Sequence, residues 1–219
     1  MRKLVAGAFV TMDGVMQAPG GPDEDHDGGF THGGWLVPHF DEQLESSMAA
    51  WVQRAGGFLL GRKTYEIFAG SWPNATDPDD PIAVALNQRP KYVASKTLTK
   101  LDWNNSTVLQ GDVVEAVRRL KAEDGGEIQV HGSTNLLQTL LRHDLVDTLR
   151  TWQFPVVVGE GKRLFGEGAI PGTFDLVETQ ANTKGAVLHV YERAGQPRHG
   201  VLEVGQEAVV FDNPPPSSK

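Results

Sequence analysis

Two glycine turns, each set between an apolar run and a helix-forming run, are the parts of this sequence best equipped for chemistry. In one, Ile128-Gln129-Val130 leads through His131 into Gly132-Ser133-Thr134, followed by Leu136, Leu137, Leu140 and Leu141 at helical spacing. In the other, Leu59-Leu60-Gly61 opens into Arg62-Lys63-Thr64-Tyr65-Glu66. A strand that turns sharply into a helix leaves the first backbone N–H groups of the helix without partners and aims them at one point. Such a point attracts an anion, most often a phosphate. One turn of this kind can equally serve only to join a strand to a helix; two of them point to a nucleotide.

Composition narrows the setting. A chain of 219 residues is one large domain, or a domain with an appendage, and can bury a sizeable core. Hydrophobic residues at 39% and charged residues at 22% are ordinary for a globular protein. No apolar run approaches the roughly 20 residues of a membrane span, and the first residues carry no secretory pattern. The chain has no cysteine, which excludes disulfides, thiol catalysis and cysteine-bound metals. A cytoplasmic protein is the expectation. The formal charge of −8 argues against broad nucleic-acid binding, so an anionic ligand has to be held by local basic side chains and amides.

The elements that must position the turns follow from periodicity. Residues 3–10 are nearly all apolar, as in a strand covered on both faces. Residues 11–35 form a long irregular segment rich in glycine and acid. A helix is predicted over 41–55, with Leu44, Met48, Trp51, Val52 and Ala55 on one face. Short strands are predicted over 58–60, 92–94 and 107–109, and a short helix over 63–70. Asp80 with Pro81 starts another helix that must stop before Pro90. Asp112 and Glu115 have capping-box spacing and open a helix to about Glu123. A long strand is expected over 148–158, then two strands over 174–180 and 187–192, joined by Asn182-Thr183-Lys184-Gly185 with hairpin chemistry. Strand and helix alternate to residue 146 and only strands follow. The expected class is α/β: a mostly parallel central sheet with helices on both faces and antiparallel C-terminal strands.

Four segments in this order resemble the dihydrofolate-reductase-like superfamily, and most of all the reductase domain of the bifunctional riboflavin-biosynthesis deaminase/reductase and its stand-alone relatives. They are Thr11-Met12-Asp13-Gly14, Leu60 to Glu66, Val130-His131-Gly132-Ser133, and Pro155-Val156-Val157-Val158-Gly159-Glu160-Gly161-Lys162-Arg163-Leu164-Phe165. The resemblance covers about residues 2–193. It implies a reductase domain over 1–194, with a C-terminal extension over 195–219, and it implies NADPH as the cofactor. By the same resemblance Gly61, Arg62, Lys63 and Thr64 hold cofactor phosphates, and Ser95 and Lys96 meet the adenosine 2′-phosphate. Gly132, Ser133, Thr134 and Asn135 form the pyrophosphate loop, while Gly159 and Gly161 belong to a loop that closes over the cofactor. The relatives commonly pair, so a homodimer is implied. The glycine-rich dinucleotide fingerprint is absent.

On the substrate side, hydride transfer needs an electrophilic carbon held against the nicotinamide and a source of a proton. Asp13, at the end of the first strand, is the first candidate, and a carboxyl desolvated by Phe30 and Trp35 would have a raised pKa. Its other reading is a turn aspartate bonded to its own backbone. Glu45, near the position of the acid that contacts the pterin in folate reductases, is the second candidate. Phe30, Trp35 and Trp72 are the expected pocket walls. The acidic loop 20–29, with His32 and His39 beyond it, has no rigid metal-ligand spacing and reads as a flap over the site, with no metal. The expected reaction is reduction of a C=N or C=O bond in a heterocyclic or sugar-linked molecule, as in 5-amino-6-(5-phosphoribosylamino)uracil reduction. The alternative is a protein of the same fold that binds a nucleotide or heteroaromatic ligand without turnover. Residues 201–211 carry enough apolar side chains for one more strand or hairpin, and 213–219 are expected to be disordered.

Overall fold

A computed structural model describes residues 1–167, 169–202, 204, 205 and 207–211. The strands are β1 Leu4–Thr11, β2 Ala55–Gly61, β3 Lys91–Ala94, β4 Ser106–Val108, β5 Glu127–His131, β6 Thr148–Phe154, β7 Thr173–Ala181, β8 Val187–Gly195, β9 His199–Val201 and β10 Val209–Phe211. The helices are α1 Glu42–Gln53, α2 Arg62–Ser71, α3 Pro81–Gln88, α4 Val113–Ala122 and α5 Thr134–Arg142. Eight strands form one sheet in the order β4-β3-β2-β5-β1-β6-β8-β7. β1 to β6 run parallel; β8 is antiparallel to β6 and β7 antiparallel to β8.

Helices cover both faces because alternate strand residues are apolar on both. On one face Leu4, Ala6, Ala8, Ile128 and Val130 pack on Val114 and Val117 of α4 and on Leu136, Leu137 and Leu140 of α5. On the other, Phe58, Leu60 and Val93 meet Val52 of α1 and Leu86 of α3. Farther along that face, Trp152, Phe154 and Leu188 pack on Leu44 of α1 and on Phe30, Trp35 and Leu36 from the segment after β1.

The helix starts at Asp41, Asp80 and Asp112 hold as read. Each carboxylate accepts a first-turn amide: Leu44 N–H for α1, Ile82 and Ala83 N–H for α3, and Val114 and Glu115 N–H for α4. The second half of the capping box is not made, since Glu115 pairs with Arg118 at 2.5 Å. The long strand expected over 148–158 ends at Phe154, where Pro155 has no N–H to continue the ladder. Among the described residues, β9 and β10 pair with each other as an antiparallel hairpin and with no strand of the main sheet. The expectation for 213–219 lies outside the described residues. Among the described residues no helix is long and apolar enough to cross a membrane.

Candidate functional site

The parallel strands β3, β2, β5 and β1 open at their C-terminal ends onto one groove of about 1560 Å3. This is the edge where open α/β sheets bind ligands. Gly61, Arg62, Lys63 and Thr64 line it from the β2–α2 turn, Ser95 and Lys96 from the end of β3, and Gly132, Ser133, Thr134 and Asn135 from the β5–α5 turn. All ten residues expected at cofactor phosphates in these three segments therefore share one wall system.

The two turns are joined. The Ser133 hydroxyl accepts from the Gly61 N–H at 2.9 Å and donates to Thr64 Oγ1 at 2.9 Å. Gly132 and Ser133 are both left-handed, at φ 58° and 59°. A serine is uncommon in that conformation, and here its hydroxyl bonds hold it there. Unlike α1, α3 and α4, neither α2 nor α5 has a side-chain cap among the described residues. The first-turn amides of both helices, starting at Arg62 and at Thr134, thus have no helical partner.

Charge at the turns is partly committed. Arg62 forms an exposed pair with Glu66 at 2.9 Å, worth about 0–1 kcal/mol and easily given up to a ligand phosphate. Lys63 bonds Asp27 and lies 3.8 Å from Asp25. Ser95 Oγ accepts from the N–H groups of Thr97 and Leu98 at 3.1 and 3.0 Å, which builds the turn that presents Lys96.

The other end of the groove is flat and apolar. Phe9, Met48, Trp51 and Trp152 line it, with Glu45 exposed on α1 and Trp72 farther out beside α2. Gly7 lies in register between His131 of β5 and Arg150 of β6, and the Trp51 ring fills the place its side chain would take. Trp51 stacks on His131 with centroids 4.3 Å apart, and the Arg150 guanidinium sits 5.7 Å from the Trp51 ring. His131 meets Gln129 Oε1 through Nε2 at 3.2 Å. Burial pushes its pKa down to about 4, so the ring is neutral near pH 7. Arg150 is 6% exposed and donates to Ser47 Oγ at 2.7 Å. The buried indole N–H groups of Trp51 and Trp152 have no protein acceptor among the described residues.

Several expected site residues are elsewhere. Asp13 does not line the groove. Its carboxylate accepts from Thr11 Oγ1 at 2.5 Å, from Gly159 N–H at 2.9 Å and, weakly, from Val158 N–H at 3.4 Å. The Thr11 hydroxyl, then those amides, hold its pKa below the usual carboxylate value, the reverse of the raised pKa expected of a proton donor. Phe30 and Trp35 do not line the groove; they pack in the core beside it. Trp35 donates to Gln17 O at 2.8 Å and packs edge-on against Phe154. Gly159 and Gly161, at φ 83° and 130°, serve the backbone outside the groove; a side chain on Gly161 would press on Val15 and Phe30. The acidic loop is tied down rather than free: Gln17 Nε2 donates to the carbonyls of Asp25 and Asp27, and Lys162 bonds both carboxylates. The sequence reading missed Gly7, Gln17, His131, Arg150, Trp152 and Lys162 as groove residues and gave Trp51 only a place on the apolar face of α1. An isolated glycine and an arginine within apolar strands were the available signals.

The geometry agrees with what this chain is similar to. The uncharacterized protein YyaP of Bacillus subtilis is 28% identical over 200 residues, covering 89% of this chain and 96% of the relative. A structure from Shewanella sp. PV-4, provisionally assigned to riboflavin biosynthesis, superposes with a TM-score of 0.66 at 21% identity over 88% of this chain and 99% of that one. The diaminohydroxyphosphoribosylaminopyrimidine deaminase/5-amino-6-(5-phosphoribosylamino)uracil reductase of Thermotoga maritima superposes at 0.58 and 15% identity, over 88% of this chain and 57% of that one. At these identities the structures establish the fold, and the family rests on the sequence. The model of the RibD C-terminal domain matches residues 2–188, and the chain belongs to that reductase-like family.

Proposed function

We propose that the protein is an NADPH-dependent reductase of a small, flat heterocyclic or sugar-linked substrate. The observation that carries this reading is the pair of uncapped helix starts, α2 and α5, tied together by Ser133 at the strand C-termini. Their amides, Thr64, and the cations Arg62, Lys63 and Lys96 fit a polyphosphate ester. Bound there, a reduced nicotinamide supplies a hydride. The chain's own residues then have three tasks. Phe9, Met48, Trp51 and Trp152 exclude water and stack on a planar ring. Arg150, whose side chain lines the groove, is suited to a carbonyl or anionic substituent on that ring. With Asp13 engaged in its loop and His131 neutral, Glu45 becomes the acid assigned to orient or protonate the substrate.

The test is NADPH binding by calorimetry, followed by NADPH oxidation with a panel of ribosylaminopyrimidines, pterins and small carbonyl compounds. Tight NADPH binding with NADH weaker by tenfold or more is expected, since one charge-assisted phosphate contact is worth roughly 1.5–3 kcal/mol. Equal affinity for the two dinucleotides counts against the assignment of Lys96 and Arg62. Binding without oxidation of any substrate favours the non-catalytic reading, which the engagement of Asp13 keeps in view. A homodimer is part of the same proposal, supported by exposed Leu176 and Val177 on the edge strand β7 and exposed Val201, Leu202, Val209 and Val210 on the β9–β10 hairpin. A monomer by light scattering refutes it.

A further inference from the structure

Three segments far apart in sequence meet at the groove mouth through charge. Lys63 comes from the first turn of α2, Lys162 from the loop after β6, and Asp25 and Asp27 from the loop after β1. Lys63 bonds Asp27 and lies 3.8 Å from Asp25; Lys162 bonds Asp25 and reaches Asp27 at 2.9 Å. All four side chains line the groove. The loop is held at this height by Gln17, 4% exposed, which donates to the Asp25 and Asp27 carbonyls at 3.1 and 3.0 Å and accepts from the Lys162 N–H at 3.1 Å.

We propose that Asp25 and Asp27 are a built-in counter-anion: in the free protein they occupy Lys63 and Lys162, and a phosphate-bearing ligand enters the groove by displacing them and taking over both ammonium groups. The proposal rests on the reading of the α2 turn as a phosphate site, and adds to it Lys162 as a ligand contact and the loop as a competitor. Two carboxylates on two lysines carry the charge of a phosphate held by the same lysines, and both ammonium groups converge on one oxygen, Asp27 Oδ2, as they would on a phosphate oxygen. The helix start beside them has no cap of its own, so the strap supplies negative charge where the helix dipole favours it. The lysines, Lys63 first, hold the Asp27 carboxyl at about 2, and Asp27 is therefore charged throughout the neutral range. Ligand and loop then exclude each other at Lys63, and loop release is coupled to anion binding by the same factor in both directions.

The experiment is hydrogen exchange of residues 20–29 in the wild type and in Asp25→Asn/Asp27→Asn, without ligand and with inorganic pyrophosphate or NADPH at matched ionic strength. Loop amides of the variant are expected to exchange about tenfold faster than wild type without ligand. Pyrophosphate is expected to speed exchange in the wild type. The variant should bind pyrophosphate and NADPH about tenfold more tightly, as expected when several exposed ion pairs no longer compete. Thermal unfolding of the variant verifies that it is folded, and Lys162→Gln, which removes the shared cation, must also speed loop exchange. Equal loop exchange in wild type and variants overturns the proposal. So does an anion that binds while leaving the wild-type loop unchanged, and so does the lack of any release by either anion. If pyrophosphate releases the loop while NADPH binds neither protein, the cofactor reading falls and the strap stands.

Discussion

Gly7→Ala is the smallest change that should deform the substrate end of the groove. The Gly7 backbone is not left-handed, so the expected effect is steric and its magnitude can be worked from the contacts. An added Cβ would overlap Trp51 Cη2 and lie 2.5 Å from Cζ3 and 3.1 Å from Cζ2. Ordinary carbon contacts are about 3.5–4.0 Å, and the indole must therefore retreat by at least about 1 Å. It cannot do so freely, because His131 stacks on it and Arg150 lies against it. Overpacking of this kind costs about 1–3 kcal/mol, which for a chain of this size is a fall in Tm of roughly 2–12 °C. The assay is thermal unfolding of Gly7→Ala in the wild-type background and in Trp51→Leu. With the ring gone the methyl has room, and the cost should shrink by at least about 1 kcal/mol, a coupling that a double-mutant cycle reads directly. An unchanged Tm for Gly7→Ala, or the same loss in both backgrounds, refutes the reasoning.

Other expectations follow from the same contacts. Asp13→Asn should cost about 1–2 kcal/mol near pH 7 through weakened bonds to Thr11 and Gly159, while single-turnover hydride transfer stays within a few-fold of wild type. Because the folded pKa of Asp13 is lowered, its stabilisation is complete above the unfolded value of about 4 and is lost as pH falls through the folded pKa. Denaturant midpoints of wild type and variant should thus converge in acid. Glu45→Gln should slow hydride transfer by about 10²–10⁴-fold with cofactor affinity kept; full activity would assign the proton to solvent. Lys91 is fully buried, and burial pushes its pKa down to about 8. The unfolded chain holds that proton up to about pH 10.4, so wild-type stability should rise from about pH 8 to 10.4, and Lys91→Met should abolish the rise. The carbonyls of Leu86 and Arg89 that Lys91 meets at 2.7 and 3.0 Å oppose the shift; parallel pH profiles for both proteins would mean that they win.

What the sequence discloses about this protein is what depends on near neighbours. Asp41, Asp80 and Asp112 announce their helices because an N-cap satisfies amides two or three residues on. The two glycine turns were legible for the same reason. The loop contacts of Asp13 were not legible because its partners Val158 and Gly159 return from the far side of β6, and nothing near an Asp-Gly pair reveals which amides will arrive. Phe30 and Trp35 were placed at the pocket because aromatic type alone does not say which side of a loop is inward. Arg150 and Gly7 take their roles from strand register, which sets them side by side on one face under Trp51. Register between distant strands is a property of the assembled sheet.

The position of β1 in that sheet bears on how the chain is made. β1 precedes both of its partners, β5 and β6, in the chain and is apolar along nearly all of its length. It has no neighbour until residues 127–131 have been synthesised and not both until residue 154, whereas β2, β3 and β4 can pair with one another beforehand. Closing so long a loop comes early in cost and late in reward, which makes folding slow and leaves an apolar strand open to wrong pairing in the meantime. Shortened chains that end before β6 should collect as aggregates, and the yield of the full chain should fall when synthesis outpaces folding.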